Sequence, residues 1–366
     1  MSGRDVPLLS LARALYGFVL VGVIATAIVL AMFVSAYSSR LVDSALDNAV
    51  RVRAQAASDG LARMLHSDWA DLKFLAGSIS GSDADRIGGL MDGMRGDGMR
   101  ISWIGFANSD GIVQQASGSL LVGQDVSQRP WFRNGLEKSF AGDVHEAVLL
   151  AKLVETGEDV PRFVDLALPV RDASGETTGV LGVHINFAWA TNALAEMAEQ
   201  LGLDLFLLNP NGGIVMATVD AQPTPGDLQV LRAAGTGVAA QGREVWPDGH
   251  DYFSSLVPNV AYADLPNFGW RLLGRLDADA FRPDLSGVRG AAILTVVGVL
   301  AILVILTAAF VMFFVRPVED LAERSDRIAD GEDIYPPEQR RTRETALLSS
   351  AIARLQRSSG VSRDPS

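Results

Sequence analysis

Hydrophobic positions fall into three kinds of run along this chain, and each kind predicts a different element. The first kind is an unbroken apolar block. Residues 15–37 (LYGFVLVGVIATAIVLAMFVSAY) and 291–315 (AAILTVVGVLAILVILTAAFVMFFV) carry no charge. Each supplies the roughly 20 apolar residues with which a helix crosses a hydrocarbon core. A signal peptide is the competing reading of the first block. Its apolar stretch exceeds the usual ~7–15 residues of such a leader, and no clear small-residue cleavage pattern follows, so a retained anchor is expected.

The second kind recurs at helical spacing. Val42, Ala45, Ala49, Val52 and Ala56 lie three or four apart, and Leu61, Leu65, Trp69, Leu72 and Ala76 resume the period after a longer step at Gly60. The pattern predicts one long helix over 38–80 with a phase shift near Gly60. A narrow stripe of mostly small residues suits pairing with another helix; packing on the chain's own domain is the alternative, above all after Gly60. Residues 81–98, rich in glycine, serine and aspartate, read as loop with a short helix. Residues 188–201 are alanine-rich and helical in composition. Beyond the second apolar block, Leu321, Ser325, Ile328 and Ala329 mark one short helix, opened by Pro317 and closed by Gly331. After a connector with Pro336 and Pro337, Leu347, Leu348, Ile352 and Leu355 mark a second, with Glu344 in its first turn. Two such helices bury little alone and fit a parallel bundle made by two chains.

The third kind is β-type. ISWIGFANSDGIVQQAS (101–117) turns at Asp110-Gly111, and LDLFLLNPNGGIVMAT (203–218) repeats its pattern around Asn211-Gly212. The repetition predicts two tandem modules. In the first, a short helix within 127–140 is followed by strand-like AVLLAKLV and FVDLALPV, a turn at 172–175 and a closing strand, GVLGVHINF. In the second, a loop over 241–249 leads to the strands YFSSLV and NFGWRLLGRLD. The fold class is α+β: a long N-terminal helix and two antiparallel-sheet modules, flanked by two membrane helices and a short helical tail. The expected boundaries are an N-terminal segment 1–14, a span 15–37, a region between the spans 38–289, a span 290–315, a two-helix linker 316–357 and a disordered tail 358–366. Within the region between the spans lie a stalk helix 38–80, a distal module 81–187 and a proximal module 202–282.

Composition sharpens this outline. The chain has 366 residues, 48% hydrophobic and 20% charged, and the excess apolarity sits in the two blocks. A net charge of −12 argues against nucleic acid as a partner, since binding phosphates requires a basic face. There is no cysteine, which excludes disulfides, thiolate metal sites and cysteine nucleophiles. Arg4 and Arg13 before the first block, and Arg316, Arg324 and Arg327 after the second, favour both ends inside the cell; Arg40 and Arg289 on the outer flanks weaken that bias slightly. No nucleophile elbow, phosphate-binding glycine loop or zinc spacing motif is present, so no catalytic residue, cofactor or metal is expected.

The segment 38–289 resembles a double Cache domain, the tandem PAS-like sensor of bacterial chemoreceptors, histidine kinases and diguanylate cyclases. The resemblance rests on Asp110-Gly111, on Arg129-Pro130-Trp131-Phe132, on Leu168-Pro169-Val170 leading to the Gly175 turn, on Gly179-Val180-Leu181-Gly182, and on Leu265-Pro266-Asn267-Phe268-Gly269-Trp270. The tail resembles a HAMP linker through Pro317, Gly331, Glu344 and Leu348. It implies a multi-pass protein of the bacterial inner membrane, with a periplasmic sensor and cytoplasmic termini. Its expected partners are a small-molecule ligand, the lipid bilayer, a second copy of the chain and a cytoplasmic output protein. The alternative is the sensory part of a larger receptor carrying a kinase, cyclase or chemoreceptor output domain. A tethered periplasmic enzyme lacks a nucleophile, and a structural scaffold would bind no metabolite.

The family's amino-acid-binding branch has a Tyr before its Arg-x-Trp-Tyr motif and an Asp near the closing strand that takes the ligand ammonium. Here Gln124, Phe132 and His184 stand at those Tyr, Tyr and Asp positions. Arg129 remains, suited to a bidentate grip on a carboxylate, so an organic acid is the favoured ligand. The expected ligand-binding residues are Trp103, Arg129, Trp131, Phe132, His145 and His184. Each has a competing role: an ion pair with Asp125 for Arg129, ordinary core for Trp103, Trp131 and Phe132, and hydrogen-bonded core histidine for His145 and His184. Lys152 reads as a solvated strand edge. A metal site of His145, Glu146 and His184 has no spacing motif behind it.

Overall fold

The computed structural model describes residues 11–79, 83–146, 162–221, 223–224, 226–280, 286–332, 334–336, 338, 340 and 342–360. The expected strand AVLLAKLV, Lys152, Pro337 and the end of the tail (361–366) lie outside these residues. Two compact units result, one of Val42–Arg282 and the other of Met1–Leu41 with Pro283–Ser366.

The second of these units contains two helical stretches long and apolar enough to cross a membrane, Ala12–Val34 and a part of Ala292–Ala329. Their large apolar side chains stand exposed, Phe18 at 79% and Leu294 at 74%, where the core helix of a soluble protein would bury them. The first stretch begins helix α1, Leu11–Ile79. The last helices are α6 (Ser286–Phe310), α7 (Arg316–Ala329) and α8 (Arg343–Gly360). Pro317 stands in the first turn of α7, as expected. A π-helical turn over Val311–Val315 joins α6 to α7. The wider turn absorbs the hydrogen bond that proline cannot donate. α8 starts where Thr342 Oγ1 accepts a bond from the Thr345 N–H (3.2 Å). Its buried face is Thr345 and Ser349, while Leu347, Leu348 and Leu355 are exposed.

In the unit Val42–Arg282, two sheets with one strand order lie in tandem. The distal module has β1 (Ile101–Asn108), β2 (Val113–Ala116), β3 (Phe140–Glu146), β4 (Arg162–Arg171) and β5 (Thr177–Asn186). Among the described residues their order is β2-β1-β5-β4-β3, all antiparallel. α2 (Ala84–Arg95) precedes the sheet, α3 (Pro130–Gly135) is inserted before β3, and α4 (Phe187–Leu201) leads out of β5. The proximal module has β6 (Asp204–Leu208), β7 (Ile214–Ala217), α5 (Gln229–Thr236), β8 (Ala240–Val245), β9 (Asp251–Val257) and β10 (Arg271–Asp277), in the order β7-β6-β10-β9-β8.

The buried stripe of α1 is Leu46, Val50, Ala54, Ala57, Leu61, Leu65, Trp69, Leu72 and Leu75. It runs past Gly60 in steps of three and four without the expected phase shift. Alanines occupy both faces of the first half, so spacing alone could not choose between them; Val52, on the expected stripe, is half exposed. Each buried leucine contributes roughly 1.5–3 kcal/mol of burial, which fixes both modules to one helix.

Two elements were not expected. β8 occupies the first part of the loop expected at 241–249; it is an edge strand, paired with β9 among the described strands, and carries Arg243 and Glu244 as edge strands do. α5 is capped from that strand, with Glu244 Oε1 accepting the Gln229 N–H (2.8 Å).

Asp68 on α1 is buried and accepts hydrogen bonds from Arg100 Nη2 (2.9 Å) and Nε (3.2 Å). Burial pushes its carboxyl up to about 6, against the opposing pull of Arg100. A folded-state value above the unfolded one means that this group stabilises the fold most at low pH and loses that contribution as pH rises from about 4 to about 6. The expected size is of order 2–3 kcal/mol. Asp68→Asn should flatten the pH dependence of urea unfolding in that window; an unchanged slope would refute the assignment.

Candidate functional site

The site builds from alternation along the three central strands of the distal sheet. One face of β1, β5 and β4 looks toward α1. The other carries Trp103 and Ala107, then Val180 and His184, then Phe163 and Ala167. In register, Trp103 and Asp165 flank His184 on its two neighbouring strands. α3, opened by Pro130, lays Trp131 and Phe132 over the same face.

Two glycines make room for the rings. A Cβ on Gly182 would stand 2.7 Å from the Trp131 ring, and one on Gly105 would stand 2.1 Å from Trp103. Side chains at either position would displace an indole.

His184 sits at the centre, 8% exposed. Trp103 stacks on one side at 4.8 Å between centroids and Phe163 at 5.7 Å, with interplanar angles of 26° and 15°. Trp131 meets it edge-on at 6.1 Å. His184 Nδ1–H donates to Asp165 Oδ1 at 2.6 Å. His145 Nε2 lies 3.5 Å from Asp165 Oδ2, and its Nδ1 lies 3.3 Å from the Asp143 carbonyl oxygen. Asp165 is 3% exposed, whereas the His145 side chain is 42% exposed.

The structure therefore brings Trp103, Trp131, His145 and His184 together. Phe132 packs edge-on against Trp131 at 5.9 Å, one residue removed from the histidine. Arg129, half buried before α3, makes no side-chain hydrogen bond or ion pair among the described residues. Its expected competitor is otherwise engaged: Asp125 Oδ1 accepts the Ser127 N–H (2.8 Å). Asp165 and Phe163 were missed. The signal for Asp165 was a charged residue inside the apolar run FVDLALPV, a pattern that an all-apolar strand does not need. Glu146 lies exposed and pairs in register with Arg162, away from the two histidines. Asp165 thus places a carboxylate beside position 184, one strand over.

The proximal module treats the matching face differently. Arg275 stands two residues before the end of β10, as His184 does in β5. Its guanidinium lies over Tyr252 (3.9 Å), Trp246 (4.2 Å) and Phe206 (5.4 Å), and pairs with Asp204 (2.8 Å) and Asp248 (3.4 Å). An aromatic box is filled by the module's own cation. A cleft of about 420 Å³ beside it is lined by Ala195, Glu199, Asp204, Thr218 and Arg275 among others.

No family model matches the chain. The methyl-accepting chemotaxis protein McpA of Pseudomonas putida is 24% identical over 237 residues, 63% of this chain and 34% of that protein. The chain thus spans about a third of the length of that relative. The ligand-binding domain of the Campylobacter jejuni chemoreceptor Tlp3, solved with 4-methylisoleucine, superposes with a TM-score of 0.51 at 14% identity, covering 66% of this chain and 95% of that one. The same domain solved with L-norvaline gives 0.50 at 14%, covering 67% and 96%. The chain is a mixed helix-and-sheet protein with two apolar helices and the fold of a Cache-type chemoreceptor ligand-binding domain.

Proposed function

We propose that this chain is a signal-transducing sensor of the bacterial inner membrane. Its double Cache region faces the periplasm, and its distal module binds a small metabolite. The observation that carries this reading is the convergence of Trp103, Trp131, His145, Asp165 and His184 on one sheet face: apolar walls around a few placed polar groups, as small-molecule sites are built. In the proximal module Arg275 fills the equivalent aromatic box, which favours the distal module as the one that takes the ligand. An anion is favoured, with Arg129 gripping its carboxylate. Asp165 supports a second reading, an amino acid whose ammonium it would take; the Tlp3 domain was solved with 4-methylisoleucine and L-norvaline.

Signal transmission has a physical route in this reading. Trp270 Nε1–H, at the head of β10, donates to Asp143 Oδ1 on β3 (2.8 Å), two residues from His145. A ligand that moves β3 would act on the strand preceding the second span. The exposed leucines of α8 suit a HAMP-like bundle between two copies, which would pass the change to an output protein, or to an output domain of a longer chain. Binding would shift a population between two packings of these helices.

The test is a thermal-shift screen of the full chain in detergent against organic acids and amino acids. A ligand at a hundredfold excess over its Kd should stabilise by about 2.7 kcal/mol. A hit among acids, lost in Arg129→Ala, supports the anion reading. A hit among amino acids, lost in Asp165→Asn, supports the second. No hit in either class counts against direct sensing.

A further inference from the structure

We infer that His145, Asp165 and His184 form a binding site for a divalent first-row transition metal of the zinc class. The inference rests on the distal module being the sensing module, and it concerns what that site takes first. One ligand atom from each residue lies within 4.8 Å of the others. Three protein ligands about 2.0–2.2 Å from a tetrahedral ion stand about 3.4 Å apart, so a small rotation of the exposed His145 completes the set.

Three observations separate this cluster from an ordinary histidine–aspartate pair. The first is the backbone. Between Gly142 and His145, β3 has one residue more than β4: Gly142 faces Asp165 but His145 faces Phe163. This bulge puts His145 on the sheet face that holds Asp165 and His184, and bulges often re-aim a side chain in this way. The second is the placement of the ring nitrogens. His145 Nδ1 lies 3.3 Å from the Asp143 carbonyl oxygen and Nε2 lies 3.5 Å from Asp165 Oδ2, a separation that a cation held by both groups fits. A backbone carbonyl on the far nitrogen is the usual support for a metal-bound imidazole. The third is rigidity. Trp103 and Phe163 hold the His184 ring, so its Nδ1 stays beside Asp165; an ion bound at Nδ1 replaces that hydrogen bond, and the imidazole proton moves to Nε2 or to solvent.

The donor set also selects the metal. Two imidazoles and one carboxylate suit zinc, cobalt or nickel, whereas magnesium and calcium take oxygen shells. Three protein ligands leave a coordination position open. A carboxylate ligand could occupy it, and the ion would reconcile an anionic metabolite with buried Asp165.

The experiment uses the full chain in detergent, stripped with EDTA and titrated with Co²⁺, read by visible absorption, and with Zn²⁺ in competition. One Co²⁺ per chain, displaced by Zn²⁺, is expected. His145→Ala, at a solvent-exposed position, and the near-isosteric Asp165→Asn should each weaken binding roughly tenfold or more, with circular dichroism confirming the fold. Absence of metal binding, or binding indifferent to both substitutions, overturns the site. The metabolite screen repeated in EDTA keeps the two readings apart. A metabolite hit without metal binding overturns the metal inference and leaves the sensor standing. Failure of both removes the sensor reading as well.

Discussion

Trp103→Ala is expected to destabilise the distal module by about 3–5 kcal/mol and to abolish ligand binding there. The indole is fully buried on β1, beside the central strand β5. It stacks on His184, contacts Trp131 at 5.7 Å between centroids, and donates its Nε1–H to the Leu120 carbonyl (3.0 Å). Truncation leaves a cavity that the site cannot close, because Gly105 and Gly182 offer no side-chain atoms to fill it. It also frees one face of the histidine. Trp103→Phe separates packing from hydrogen bonding: the stack survives, the bond to Leu120 is lost, and the cost should fall to about 1 kcal/mol. Urea unfolding measures both. A loss below about 1 kcal/mol for Trp103→Ala would show that the ring lines the site without supporting it.

Arg275→Ala should cost about 3 kcal/mol or more, and the reason differs. The side chain is 5% exposed and holds two carboxylates that are themselves a third exposed. Water screens part of that attraction, so the ion pairs alone would fall short of the 3–5 kcal/mol typical of a broken buried pair. The remainder comes from the three rings packed around the guanidinium and from its aliphatic stem. Methylguanidinium added to the variant should recover part of the lost melting temperature by re-entering the box, whereas methylammonium should recover less, since it cannot reproduce the planar fork. Unchanged stability in Arg275→Ala would show that the cation is a passenger. The same geometry leads to the expectation of one metabolite site per chain, in the distal module.

Local patterning was enough for much of this protein. Two charge-free blocks, a helical period between them, and two hairpins of matching pattern are properties of neighbouring residues, and they predict two apolar helices and two α+β modules. The identity of the hairpin turns follows from Asp110-Gly111 and Asn211-Gly212, since both glycines adopt positive φ (84° and 83°) that other residues resist.

Tertiary structure decided what depends on partners distant in sequence. The phase of α1 was undetermined where alanine occupies both faces, and contact with two sheets settled it on Val50, Ala54 and Ala57. α5 and β8 each lean on the other, one for a cap and one for a helix to cover it, so neither carries a strong signal alone. The three-group cluster is the clearest case. Alternation assigns a residue to a face, but strand order and register assign its neighbours. Only the β5–β4 pairing puts Asp165 beside His184, and only the extra residue in β3 brings His145 to them both.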